Sequence, residues 1–283
     1  MGQRRGDCGR HFGAWMINMT KDAHIARLFT LLRAALNAPR GFGRIASALV
    51  LGAVCHLIFA LAVGAMIAAM FFGMQHSFGR AAWPVMANAA LIVQFPLAHS
   101  LLLSRKGQTV LAWIYPAPHG HTVISTTYAI IASAQLLALF ALWTPSGIIW
   151  WQAEGAAYWA LCTAYTASWL LLMKASFDAG VEVQSGALGW LSMLARIRPV
   201  YPEMPTRGLF AMIRQPIYVA FALTLWTVPV WTPDQLVLAV VLTAYCLIAP
   251  RAKERRFAAR YGADFDRYRA AVPYAIPRIW RQR

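Results

Sequence analysis

The sequence predicts an all-α fold: a polytopic transmembrane bundle of about five to six membrane helices, with a C-terminal helical hairpin and a cytosolic C-terminal helix. Three observations carry this expectation. Hydrophobic residues make up 59% of the 283-residue chain and charged residues 13%, too little polar material to clad a soluble domain. The apolar residues run in continuous blocks rather than alternating, which selects helices over a barrel. Threading those blocks through a bilayer puts 25 of the 26 Lys and Arg residues on one side, Arg80 excepted, and basic flanks mark the cytosolic face.

The elements follow in chain order. Residues 1–44 form a basic cytosolic segment, in which Ala23 to Leu36 reads as an amphipathic helix: Ile25, Leu28, Leu31, Leu32 and Leu36 share a face suited to the inner membrane surface. A cleaved signal peptide fits poorly, because the first long apolar run starts far from the N-terminus. Residues 45–173 hold four membrane blocks, Ile45 to Phe72, Ala87 to Leu103, Val123 to Trp143 and Ala156 to Met173. Residues 174–283 begin with a polar loop, Lys174 to Gln215, long enough to bind something or to lack order. Two short blocks follow, Tyr218 to Val230 and Leu236 to Ala249, read as a hairpin. A charged helix from Arg251 to Arg269 then leaves the membrane, and Pro273 and Pro277 end it. Both termini are expected in the cytosol, at the inner membrane of a bacterium.

The C-terminal third carries the chemistry. Arg214-Gln215-Pro216-Ile217-Tyr218 precedes the hairpin; after it come Glu254, Tyr261-Gly262, Phe265, Tyr268 and Val272-Pro273. This order resembles the integral-membrane methyltransferases typified by isoprenylcysteine carboxyl methyltransferase. Phe95 to Arg105 (FPLAHSLLLSR) adds a likeness to a bacterial branch that holds methanethiol S-methyltransferase and NnrU-type proteins. The strong part of the likeness spans Gly208 to Pro277. Two positions depart from the family pattern: Gln215 replaces a His, and Lys253 replaces the first acid of a Glu pair. Gln215 can exchange hydrogen bonds but not a proton, and Lys253 reverses the sign of any charged contact.

The resemblance implies S-adenosyl-L-methionine as cofactor and a small or lipid-soluble methyl acceptor, a thiol first, then an isoprenylcysteine carboxylate or a lipid amine. It makes Arg214 and Glu254 the candidate catalytic residues. The candidate cofactor-binding set is Arg214, Gln215, Pro216, Tyr218, Arg251, Glu254, Arg255, Tyr261, Gly262 and Tyr268. Physical chemistry suits those types. A carboxylate fits the cofactor's ammonium or ribose hydroxyls, a guanidinium fits its carboxylate in a bidentate pair, and tyrosine rings face adenine or sulfonium. Pro216 would open a helix and Gly262 would close one. His99 and Ser100 are candidates for an acceptor pocket, being near the cytosolic end of the second block.

Plainer readings stand beside these. Arg214 and Arg251 flank apolar blocks and would serve as snorkelling anchors; Glu254 and Arg255 would serve as a solvated helix face. The alternative function is a non-catalytic membrane accessory or transport protein of the same fold, which Gln215 and Lys253 favour. His56 is expected to bridge helices as a neutral hydrogen-bonding group, and Gln75-His76-Ser77 to cap the far interface. No metal site is expected, since His119 and His121 lack a third ligand. Cys8, Cys55, Cys162 and Cys246 are scattered and suit neither zinc nor a disulfide framework. The net charge of +16 sits on membrane flanks rather than on a soluble basic surface, so the bilayer is the expected partner and nucleic acid is not.

Overall fold

The computed structural model describes residues 27–277, so Ala23 to Ala26 of the expected amphipathic helix, with Cys8 and the basic residues before them, lie outside the described residues. Helix α1 covers residues 27–36. Its Leu31 is buried against Leu188 and Leu191, and Arg27 pairs with Glu182 at 2.7 Å. Leu32 and Leu36 of the expected apolar face point outward.

Among the described residues five helices are long and apolar enough to cross a bilayer: α2 (Phe42–Phe71), α3 (Pro84–Leu102), α5 (Ile124–Ala141), α6 (Gly155–Asp178) and α10 (Pro233–Tyr261). Their outward residues, among them Val50, Leu57, Leu101, Leu170 and Ile248, are exposed apolar side chains that only lipid would cover. The protein is therefore an integral membrane protein built of helices. Between α3 and α5 lies α4 (Arg105–Ile114), capped by Ser104, whose hydroxyl accepts from the Gly107 amide.

Three expectations need correction. The stretch from Lys174 to Gln215 is not one loop. Helix α6 runs on to Asp178, followed by α7 (Val181–Gln184) and α8 (Ala187–Ala195), whose sequence ALGWLSMLA is buried almost throughout. Gly189 lets α8 approach α5 so closely that a Cβ there would sit 2.5 Å from Thr126 Oγ1. The two hairpin blocks are not both short. Helix α9 (Pro216–Trp226) has 11 residues, about 16 Å, whereas α10 has 29 and runs unbroken through Pro250. The charged helix expected from Arg251 is thus the end of α10 as far as Tyr261. Gly262, at φ 51°, breaks it from α11 (Ala263–Ala271).

Packing follows from these lengths. Helix α2 lies along α5, α8 rests on both, and α9 is held between α6 and α10. The main core gathers Met66, Met70, Phe140, Leu225, Leu238 and Leu242. At the end opposite the basic flanks, β1 (Trp151–Gln152) pairs antiparallel with β2 (Val230–Trp231). There Asp234 accepts from Trp143 Nε1 (3.0 Å), the Ser146 amide (2.9 Å) and the Ser146 hydroxyl (2.6 Å). Gln75, expected to cap this interface, donates to the same carboxylate at 3.3 Å. His56 bridges helices as expected, accepting from Trp190 Nε1 of α8 at 3.1 Å.

Candidate active site

Helices α3, α5, α9 and α10 bring their basic-flanked ends together, and the segment after α6 folds beneath them to enclose a cavity of about 940 Å³. Helix α10 supplies one wall. Lys253, Arg256, Phe257, Arg260 and Tyr261 fall at i, i+3, i+4, i+7 and i+8 and all line the space. Tyr218 of α9, His99 of α3 and Tyr128 of α5 close other sides. The 196–210 stretch adds Arg198, Tyr201, Glu203 and Phe210.

The residues expected to form one site divide into two groups. Arg214, Gln215 and Glu254 do meet: Arg214 Nε donates to Glu254 Oε1 at 2.8 Å, and Gln215 Nε2 donates to the same oxygen at 2.7 Å. Their remaining bonds lead away from the cavity. Arg214 Nη1 donates to the carbonyls of Arg269 (3.0 Å) and Val272 (2.6 Å), and the amides of Arg214 and Gln215 donate to the carbonyls of Pro273 and Tyr274. This network ties residues 269–274 to the start of α9. Tyr268 belongs to it: its hydroxyl donates to the Phe210 carbonyl at 2.7 Å, and burial pushes its phenol above the ordinary tyrosine value. Pro216 opens α9 and Gly262 caps α10 as expected; Arg251 and Arg255 are exposed.

Tyr218, Tyr261 and His99 are the sequence candidates that line the cavity. His99 lies 2.8 Å from the Tyr128 hydroxyl, so its ring is engaged there in a hydrogen bond. Ser100 lies at hydrogen-bonding distance, 3.4 Å, from the Tyr245 hydroxyl, outside the cavity wall. Lys253, known from the sequence only as a departure from a pattern, is a central feature. Its ammonium stands 5.4 Å from the Tyr218 ring centroid, 5.8 Å from Phe210 and 5.9 Å from Phe257. These rings form a cage able to hold a cation. Burial also pushes the Tyr201 phenol upward.

Arg198, Glu203 and Tyr201 escaped sequence reasoning because the loop that carries them reaches the site by tertiary folding. Arg256, Phe257 and Arg260 were findable. Continuing α10 past Pro250 and counting its helical period puts them on one arc with Lys253, while Glu254 sits at the edge of that arc and turns to Arg214. Among the described residues no group of three or more His, Cys, Asp or Glu side chains could hold a metal ion.

Comparison with known proteins adds a lineage to this geometry. The chain is 28% identical over 206 residues to methanethiol S-methyltransferase of Pseudomonas deceptionensis, covering 71% of this chain and 76% of that one. It is 27% identical over 205 residues to methanethiol S-methyltransferase 2 of Bradyrhizobium diazoefficiens, covering 70% and 75%. The chain is a homologue of the methanethiol S-methyltransferases. Nurim of Sus scrofa matches at 28% over 176 residues, 59% of this chain and 65% of that protein. These homologues bear out the resemblance to the isoprenylcysteine carboxyl methyltransferase-like family. No family model and no solved structure matches the chain.

Proposed function

We propose that this chain is an S-adenosyl-L-methionine-dependent membrane methyltransferase that methylates a thiol, with donor and acceptor sharing the cavity beneath α3, α5, α9 and α10. The observation that carries the reading is kinship with methanethiol S-methyltransferases across about 70% of the chain. The cavity lies near the upper end of the range of about 300 to 1,000 Å³ usual for ligand sites, room for a nucleoside cofactor and a second molecule.

The lining chemistry fits that cofactor. Tyr218, Phe257 and Tyr261 offer ring faces for adenine or sulfonium, and the cage formed by two of them with Phe210 already holds a cation. Glu203 suits the ammonium; Arg198 and Arg260 suit the carboxylate. Bound there, S-adenosylmethionine would supply an electrophilic methyl group: the acceptor sulfur–carbon bond forms as the sulfonium–carbon bond breaks, its electron pair stays on the departing thioether, and the thiol proton leaves to water. The residues' task is to position two reactants and keep water from them, since displacement asks for little acid or base help. Acceptors other than a thiol, an isoprenylcysteine carboxylate or a lipid amine, would use the same walls.

The charge asymmetry supports a bacterial inner membrane location with both termini, and this cavity, on the cytosolic side. A second reading, a non-catalytic relative of the same fold, draws support from Lys253 lying within the aromatic cage and from Gln215, which cannot move a proton. Calorimetry on detergent-purified protein separates the two. S-adenosylhomocysteine is expected to bind, and methyl-labelled donor to label a small alkyl thiol. The absence of label, with or without binding, would leave the second reading standing.

A further inference from the structure

The charge of the cavity bears on what is methylated. Among the described residues four cationic side chains line it, Lys253, Arg256, Arg260 and Arg198, against one carboxylate, Glu203. None of the four belongs to an ion pair among the described residues. The three arginines are exposed and screened by water and salt, while Lys253 is half-buried. Its neighbour Glu254 accepts from Arg214 and Gln215 and forms no ion pair with it. The ammonium of Lys253 meets ring faces instead, which leaves its N–H groups without a hydrogen-bonding acceptor among the described residues.

The donor proposed for this cavity is itself a net cation, with two positive groups and one negative. Adding it to such walls increases an unbalanced positive charge, which a low-dielectric, partly enclosed site tolerates poorly. A second ligand that is negative reduces the imbalance; a neutral one does not, and a cationic one worsens it. On the methyltransferase reading above, we infer that the acceptor is an anionic thiol, a small thiol that also carries an acidic group, and that Lys253 holds that group at the cavity wall. The volume permits this, since the space exceeds what the donor and a one-carbon thiol would fill. Lys253 is here a specificity residue.

Three thiols of similar size test the inference: 3-mercaptopropionate (negative), 3-mercaptopropionamide (neutral) and cysteamine (positive). Each is titrated into the protein with S-adenosylhomocysteine present, and each is assayed with methyl-labelled donor, with product analysis separating S-methyl from O-methyl. The expected binding order is negative, neutral, positive, with a factor of about ten between the first two, the size of one charge-assisted bond. Lys253→Met should bring that factor close to one, and Lys253→Arg should retain most of it. Binding of S-adenosylhomocysteine by each variant shows that it folds. A wild-type ratio near one, or a ratio that Lys253→Met leaves unchanged, overturns the inference; label appearing as O-methyl also overturns it. Because the binding arm needs no turnover, a clear preference without methyl transfer would retain the anion site and remove the enzyme reading, whereas methyl transfer without preference would do the reverse. An anionic lipid headgroup carries the same charge, so the titration is repeated in nanodiscs of phosphatidylglycerol. Preference in detergent that disappears there assigns the cations to lipid and overturns the inference.

Discussion

Replacing Glu254 by alanine removes the acceptor on which two side chains, and through Arg214 the segment 269–274, depend. Its carboxylate takes the Nε of Arg214 at 2.8 Å and the Nε2 of Gln215 at 2.7 Å, with Nη2 of Arg214 near the limit at 3.5 Å. A charge-assisted bond contributes about 1.5 to 3 kcal/mol, and breaking a buried pair on one side costs about 3 to 5 kcal/mol. Here the Arg214 side chain is 11% exposed and that of Glu254 16%, and Arg214 keeps the Arg269 and Val272 carbonyls. Water and those carbonyls offset part of the loss, so a cost of about 3 kcal/mol is expected, at the lower end of the buried range. That corresponds to a fall in melting temperature of roughly 6 to 12 °C for a chain of this size, if unfolding is cooperative. Limited proteolysis should also cut within 263–277, the segment that Arg214 ties down. Differential scanning fluorimetry in detergent reads the first effect and mass spectrometry of the digest the second. An unchanged melting temperature together with weakened S-adenosylhomocysteine binding would refute this reasoning, because it would make Glu254 a ligand of the cofactor and not a clamp.

Two further substitutions test the far end of the bundle. Gly79→Ala would put a Cβ 2.1 Å from the Leu142 carbonyl oxygen and 2.4 Å from that of Trp143, both backbone atoms, so a loss of about 3 kcal/mol or more is expected. A melting temperature within 1 °C of wild type, on the scale of about 2 to 4 °C per kcal/mol, would show that the loop yields freely. Asp234→Ala leaves the indole N–H of Trp143, itself 2% exposed, without its acceptor and should cost about 2 to 3 kcal/mol with a shift in tryptophan emission. Unaltered stability and emission would place the structural weight elsewhere.

Much of the architecture is legible in the sequence because lipid imposes a simple demand. Backbone polar groups inside a bilayer must be satisfied within the segment, so a long apolar run has almost no choice but helix. Ile45 to Phe72 and Val123 to Trp143 therefore emerge close to their expected bounds. Pro216 at the start of α9 and Gly262 at the end of α10 obey equally local rules of missing N–H and positive φ. Local rules fail at ALGWLSMLA, nine residues too short to span a bilayer that fold into a buried helix only because α2 and α5 offer a groove. They fail again at Pro250, where the remaining helix tolerates one lost hydrogen bond.

The site shows the same division. That Arg214 and Glu254 meet could be expected from their order around a hairpin, and they do. Which way they face is a matter of rotation about α9 and α10 and of what lies on each side. The C-terminal segment on one side claims Arg214 through its carbonyls, and Arg214 in turn holds Glu254. The loop carrying Arg198, Tyr201 and Glu203 on the other side leaves the cavity to Lys253 and its ring cage. The residues and their helical period belong to the sequence; the choice of partner for each charge belongs to the tertiary structure, because a charge is paired by whatever lies within a few ångströms of it, and chain order alone does not set that distance.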